Sequence, residues 1–490
     1  MTAIVGSALF VAALVLGWPA APAVGAAALF WMALSGRVAV APLILVACAL
    51  AGAARGSQVI SGSQDVGDPT GPHRATLVGY ARRTEVGQRF VVERDDGVTL
   101  CASADTALAL GRGDVIRFDG NVSARRSQSP SRAAALRQLG CDGTVEAVDI
   151  RVLRQGSGLR RWLDGERRDI AGWFAATVPG DAGALLSGLV IGEDDGLSFD
   201  TREGFYTLGM SHITAVSGSN LALLTWILLG GAGRRRVALD LVGLTMLWLY
   251  VLLAGAGPST VRAGLTATLC VLVVRTGRRP ELLATACLVA AAQVAVDPSL
   301  IGSLAYRLST IAMLVMISTL TGRAAEGWAG KLRSLVACTV AIQLAVLPFT
   351  PNADQAIVAG VVANVAAAPL VGLAFAVGMA AAVVRPVSET AATALATVAE
   401  LPARMVLDIV GGLSGSWLAD VRPSALAWLP QQALRALLVM GVVVGFGHHA
   451  RRGVADARTR LETTTREERL VWASAAGGVA FAVAVVSLAR

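Results

Sequence analysis

The chain has 490 residues, of which 54% are hydrophobic and only 16% are charged. Soluble proteins carry about a quarter charged residues, so this composition excludes an ordinary soluble chain and predicts a polytopic α-helical membrane protein. Most of the formal net charge of +8 is accounted for by the loops between the apolar runs, so by itself it does not indicate nucleic-acid binding.

Apolar runs divide the chain, and most of them have the length that crosses about 30 Å of hydrocarbon. Three runs precede residue 55 and ten follow residue 180, which predicts about 13 transmembrane helices. The predicted spans are 4–17, 24–34, 38–54, 210–230, 237–254, 260–275, 282–296, 300–320, 334–350, 357–384, 389–413, 431–447 and 471–489.

Basic residues follow alternate spans, as in Arg234 to Arg236 and in Arg275, Arg278 and Arg279. The positive-inside rule assigns such loops to the cytoplasm, which places the N-terminus inside and residues 55–180 outside. The predicted domains are three N-terminal helices (1–54), an extracytoplasmic domain (55–160), an amphipathic surface helix (161–180), a transmembrane domain (181–450), and a cytoplasmic charged segment with a final helix (451–490).

The extracytoplasmic domain has the alternating pattern of a small β-barrel. Five strands are predicted at 73–80, 88–93, 98–102, 114–118 and 144–152, with a short helix at 131–139, which together suit an OB-like fold. Four arginines are candidate DNA contacts: Arg82, Arg83, Arg125 and Arg126. This domain has slightly more basic than acidic residues, and an ordinary solvated surface explains that excess equally well. The helix at 160–174 is amphipathic and is predicted to lie on the outer membrane surface.

Two cysteines, Cys101 and Cys141, fall in the extracytoplasmic domain. Their isolation on the oxidising side of the membrane favours a disulfide over two free thiols. The other four cysteines fall within apolar spans, where cysteine usually acts as a small hydrophobe.

Residues 209–224, GMSHITAVSGSNLALL, place several polar groups at the head of an apolar run. Polar groups at membrane depth are costly unless they face protein or water, so this segment is predicted to line a wet path. A lipid-buried helix with back-bonded hydroxyls is the alternative. The candidate lining residues in this segment are His212, Thr214, Ser217, Gly218, Ser219 and Asn220.

Hydrolytic chemistry has no clear basis in the sequence. The four histidines form no metal-ligand run, and Ser217 lacks the Gly-x-Ser-x-Gly frame of a serine hydrolase. We therefore expect no catalytic residues, no metal and no cofactor. The absence of a phosphate loop indicates that any energy source is a separate polypeptide.

The segment 209–224 resembles the signature of the ComEC competence channels. Three further segments resemble other family elements in the same order: 184–195 (ALLSGLVIGEDD) with Phe205 precedes the signature, 257–263 (GPSTVRA) follows it, and Asp297-Pro298 comes with Leu308-Ser309. A last element is formed by 343–348 with Asn364 and Pro369. The resemblance covers essentially the whole chain, but Arg307 stands where the family usually has a neutral amide.

This resemblance implies import of single-stranded DNA across the bacterial cytoplasmic membrane during natural transformation. It adds Arg262, Arg307 and Asn364 to the candidate lining residues, with the two arginines as a cationic rim. Membrane lipid, a separate DNA receptor, a nuclease and a cytoplasmic ATP-driven motor are the expected partners, and the chain could form a homo-oligomer. The family's C-terminal metallo-β-lactamase-like domain is expected to be lacking. A secondary transporter of another anionic or lipid-linked solute is the alternative, and a membrane-embedded hydrolase is a distant third.

Overall fold

The computed structural model describes residues 70–420, apart from 85–86, 106–107, 130–131, 134–135, 137–138, 215, 231–236, 276, 278–279, 281, 298–299, 301–302, 321–326 and 347–355. Within these residues, seven strands are followed by eleven α-helices. The strands are β1 (Thr70–Leu77), β2 (Arg82–Thr84), β3 (Gly87–Arg94), β4 (Thr99–Ala104), β5 (Val115–Ala124), β6 (Gly143–Glu146) and β7 (Val148–Arg154).

Five strands close into a barrel in the order β1-β3-β4-β6-β5, and β5 pairs with β1 to complete the ring. The pairs are antiparallel except for β4 with β6, which run parallel. Alternation in the sequence produces the core, since Phe90 and Val92 on β3 are buried while Arg89 and Glu93, on the other face of the strand, are exposed. The predicted OB-like barrel is confirmed.

The last predicted strand, 144–152, is divided at Ala147 into two strands, β6 and β7. β5 approaches closely at this break, since a Cβ on Gly120 would stand 2.5 Å from the carbonyl oxygen of Glu146. The register of β5 against β7 then shifts, and Asp149 takes a positive φ of 50°. β2 was not predicted. Of the predicted helix at 131–139, residues 132, 133 and 136 are described, and they are helical.

The amphipathic helix is present as α1 (Leu159–Thr177). Its apolar face is covered by protein, since Leu163, Trp173 and Phe174 are buried and the helix packs on the helical domain. Trp162, in the first turn of the helix, is exposed. The helix thus joins the barrel to the helical domain, and its place on the outer membrane surface stays a prediction.

Ten helices form the helical domain in the described part of the chain. They are α2 (Asp181–Ile191), α3 (Phe199–Thr207), α4 (Gly218–Leu229), α5 (Val237–Leu253), α6 (Pro258–Arg275), α7 (Leu282–Val296), α8 (Leu304–Leu320), α9 (Gly327–Val346), α10 (Ile357–Val384) and α11 (Glu389–Ser414). α4 to α11 correspond to the eight predicted spans between 210 and 413. α2 and α3 were not predicted.

The closest pair is α10 with α11, which are joined by a short turn and pack along their length. Alanines three, four or seven residues apart line the contact and are fully buried, so the two backbones approach closely. They are Ala359, Ala363, Ala367, Ala374, Ala381, Ala392, Ala396, Ala399 and Ala403.

Two described helices, α9 and α10, are long and apolar enough to cross a membrane. Several others are apolar but shorter, among them α2, α5 and α8. The predicted spans 4–17, 24–34, 38–54, 431–447 and 471–489 lie outside the described residues. The count of about 13 spans therefore stays a prediction.

Candidate functional site

The signature segment forms a loop followed by a helix, whereas a helix was predicted from residue 210. Residues 209–214 form turns and α4 begins only at Gly218. Ser217 is the N-cap of α4, and its hydroxyl oxygen accepts a hydrogen bond from the backbone N–H of Asn220 at 3.4 Å. A serine in this role starts a helix, so the polar residues before it lie on a loop. We call residues 209–217 the motif loop.

Side chains of the motif loop differ in their exposure to solvent. Ser211 and His212 are exposed, while Ile213 and Thr214 are buried. Thr214 donates a hydrogen bond from Oγ1 to Oδ2 of Asp194 at 2.9 Å, and this bond anchors the loop to the segment after α2. Of the predicted lining residues, His212 is therefore accessible and Thr214 is not.

Asn220 has a structural role that was not predicted. It is buried, and its Nδ2 donates to the carbonyl oxygen of Leu189 at 3.3 Å, while the hydroxyl of Tyr250 donates to Val190 at 2.9 Å. These carbonyls belong to the last turn of α2, where helix carbonyls lack partners within the helix. Asn220 thus satisfies a buried helix end. Gly218 is exposed at the start of α4, and the side chain of Ser219 is outside the described part.

Arg262, which was predicted to belong to a cationic rim, lies inside the packing of the helical domain. Only 2% of the residue is accessible. Its Nη1 donates to Oγ1 of Thr310 at 2.8 Å, and its Nη2 donates to Oγ of Ser309. Its guanidinium carbon also lies 5.7 Å from the centre of the Tyr306 ring. Arg262 therefore ties α6 to α8 and joins two of the sequence elements that carried the resemblance.

The remaining predicted lining residues do not join Arg262 in one group. Arg307 is half-buried on α8, one turn before Thr310. Asn364 donates from Nδ2 to the carbonyl oxygen of Gly360 at 2.8 Å, one turn back in the same helix. This bond keeps Asn364 within α10 and gives it a local role.

The four predicted DNA contacts on the barrel differ in accessibility. Arg82 on β2 is exposed and directly opposite Arg89 on β3. Arg125 is buried, and its Nη1 donates to the carbonyl oxygen of Cys141 at 3.2 Å, so it supports the chain there. The side chains of Arg83 and Arg126 lie outside the described part.

The predicted disulfide between Cys101 and Cys141 is present. Cys101 lies on β4, and Cys141 lies two residues before β6, which is the parallel neighbour of β4. The bond therefore ties the residues just before β6 to β4.

A polar junction that sequence reasoning missed connects the barrel with the motif loop. Arg167 on α1 is buried, with its guanidinium 4.4 Å from the ring centre of Tyr80, and its Nη2 lies 3.3 Å from Oε2 of Glu193. The next residue, Asp194, holds Thr214 of the motif loop. Tyr80 is separated in sequence from Arg167 and Glu193 by about 90 and 110 residues, so local patterns carried no sign of this contact.

Glu193 gives the junction a predicted pH dependence. Burial and the hydrogen bond with Asp195 raise its pKa to about 8 from the usual 4.5, against the opposing charges of Arg167 and Arg82. A raised carboxyl pKa means that the fold favours the neutral form, so the stabilisation is complete below about pH 4.5 and is lost as the pH rises through 8. Between pH 5 and 9, we expect a loss on the order of a few kcal/mol.

Thermal unfolding of the full chain at pH 6 and pH 9 measures this loss. Glu193→Gln keeps the size and the hydrogen-bonding capacity of the side chain but does not ionise. The unfolding midpoint of the wild type should therefore fall further than that of the variant. Equal falls in both proteins would show that Glu193 does not control the junction.

One comparison with known proteins gives a match. A family model described as Competence protein matches residues 189–452. No curated protein and no solved structure matches the chain. The matched segment starts within α2 and includes the motif loop, Arg262, Ser309 and Asn364. Because it spans more than half of the 490 residues, the chain belongs to the competence protein family of the ComEC type.

Proposed function

We propose that this chain is the conduit that carries single-stranded DNA across the cytoplasmic membrane during natural transformation. Membership of the competence family implies a role in DNA uptake. The apolar helices, among them α9 and α10, are consistent with a membrane protein. The more specific claim, that the chain forms the path for DNA, depends on the geometry of the motif loop.

The observation that carries the proposal is the accessible, non-helical backbone of the motif loop within an apolar helical domain. Ser211 and His212 are exposed there, between the buried Met210 and Ile213. Irregular backbone at membrane depth is tolerated only where protein buries it or where it lines a wet cavity. Exposed polar side chains favour the wet cavity. Such a surface suits a moving strand, which needs weak and successive contacts.

The break before α6 supports the same proposal. Gly255 and Ala256 both have positive φ, 85° and 50°, directly before the helix that carries Arg262. Irregular backbone at the end of a helix also lines substrate paths in transporters. Arg262 supplies a fixed positive charge behind this break, held by two hydroxyl groups.

We propose that the chain itself is not an enzyme. The DNA receptor, the nuclease and the ATP-driven motor are then separate polypeptides, and the chain supplies the path through the membrane. Its extracytoplasmic barrel faces the incoming DNA, and its N-terminus lies in the cytoplasm.

The proposal is tested by cysteine accessibility in cells, in a background in which Cys48, Cys270, Cys287 and Cys338 are replaced by alanine. Cysteines at Ser211 and His212 should react with a membrane-impermeant thiol reagent, and incoming DNA should slow the reaction. Cysteines at Trp226 and Ile227 are the matched controls: both side chains are exposed on α4, but we expect lipid to cover them. They should stay unreactive.

Two results would overturn the proposal that this chain is the conduit. One is equal reactivity at all four positions, or none at Ser211 and His212. The other is normal uptake of labelled DNA after disruption of the gene, which would favour transport of a different anionic solute.

A further inference from the structure

Three arginines stand side by side on the outer face of the barrel. Arg74 on β1 is paired directly with Arg117 on β5, and Arg117 is paired directly with Arg151 on β7. All three side chains are exposed. We call Arg74, Arg117 and Arg151 the arginine row. It crosses three neighbouring strands at right angles to their direction.

Such a row is unfavourable for the barrel alone. Like charges directly opposite each other in a sheet destabilise the pairing. Within the described part of the chain, Arg117 and Arg151 form no ion pair, and Arg74 has only Asp95, at 3.8 Å, with both side chains about two-thirds exposed. Asp119 lies one ladder step from Arg117 on the same face. With Asp95 it makes two carboxylates beside three arginines, so the row keeps an excess of positive charge.

The shape of the row matches a linear polyanion. Neighbouring strands are about 4.8 Å apart, so the three guanidinium groups extend over about 10 Å. Each can take a phosphate group in a two-pronged hydrogen bond. One ladder step away on the same face lie Pro72, Asp119 and Val148, with no aromatic ring on which a base could stack. The surface thus suits the phosphates of a strand and not its bases.

The position of the row relates it to the helical domain. The row lies one ladder step from the end of the barrel that carries Val115 and Arg154. Next to that end, Asp114 forms an ion pair with Arg161 of α1. A strand held on the row would therefore lie close to the helix that joins the barrel to the helical domain.

We infer that the arginine row binds the phosphate backbone of single-stranded DNA on the extracytoplasmic barrel, an inference that rests on the proposed function. It is distinct from the Arg82–Arg89 pairing on β2 and β3. Because the contacts are ionic and carry no base recognition, binding is independent of sequence and weakens with salt.

The test is fluorescence anisotropy of labelled oligothymidylate with the full chain in phosphatidylcholine nanodiscs, between 50 and 200 mM salt. The triple variant Arg74→Gln, Arg117→Gln, Arg151→Gln should bind about tenfold more weakly or worse at the lowest salt. The slope of log affinity against log salt should become shallower by about 2, since each lost phosphate contact removes about 0.7. Arg117→Gln alone should remove about 0.7.

Arg132→Gln is the matched control, because Arg132 is an exposed arginine off the row. It should leave both the affinity and the slope unchanged. The triple variant should also unfold at the same or a higher temperature at low salt, because like-charge repulsion has been removed. This readout separates lost contacts from a lost fold, and Arg117→Gln alone decides the question if the triple variant does not fold.

Unchanged oligothymidylate binding by the triple variant overturns the inference. So does a defect that appears only in discs containing phosphatidylglycerol, because the row would then hold lipid headgroups. Neither result touches the conduit, which is tested separately by DNA protection of the cysteine at His212.

Discussion

Asp164→Ala should destabilise the connection between the barrel and α1 by about 3–5 kcal/mol, because it leaves a buried guanidinium without its carboxylate. Arg112 donates to Asp164 from its backbone nitrogen at 2.8 Å, and from Nε and Nη2 at 3.1 and 2.8 Å. The two side chains are 9% and 0% exposed. Removing the carboxylate takes the acceptor away from three buried donor groups of Arg112.

Limited proteolysis and thermal unfolding of the full chain measure this effect. Asp169→Ala, on the exposed side of the same helix, is the matched control and should change little. A double variant, Arg112→Met with Asp164→Leu, removes both charges and should recover most of the stability. If Asp164→Ala is as stable as the Asp169 control, the pair does not hold the barrel to α1.

Loss of the disulfide should destabilise the barrel by about 3–4 kcal/mol in the chain-entropy model. The bond joins cysteines 40 residues apart and encloses β5, which pairs with β1, β6 and β7. Cys141→Ser should therefore make the barrel sensitive to protease at temperatures at which the wild type resists. Cys270→Ser, at a free cysteine in α6, should leave the barrel unchanged.

Thiol labelling of the unfolded chain provides an independent check. Without reductant, Cys101 and Cys141 should remain unlabelled, and both should react after reduction. Labelling of both before reduction would contradict the bond.

The barrel and most of the apolar helices could be predicted because each follows from a local pattern. Period-two alternation indicated the strands, and α10 begins and ends at the predicted residues, 357 and 384. The break at Ala147 could not be predicted, because it depends on how closely Gly120 of another strand approaches. α2 was missed because it is only 11 residues long and buried almost all round, so it shows neither amphipathic periodicity nor the length of a span.

The site was only partly predictable, for a related reason. The sequence marks Thr214, Asn220 and Arg262 as polar residues in apolar surroundings, which was sufficient to single them out. It does not show whether such a residue faces water or a partner elsewhere in the chain. The partners are Asp194, Leu189 and Thr310, which are 20 to 48 residues away and hold the three side chains in place.

Two helix contacts in the helical domain differ in the side-chain entropy that is lost when they form. One is the alanine contact between α10 and α11. Burying alanine costs no side-chain rotamer freedom, so this pair can be ordered without the loss that long side chains suffer. The contact between α6 and α8, in contrast, immobilises the long Arg262 side chain between hydroxyl groups. A rearrangement that frees Arg262 would regain rotamer entropy, whereas separating the alanine pair would regain none. Of these two contacts, the one between α6 and α8 therefore holds the larger cost in side-chain entropy.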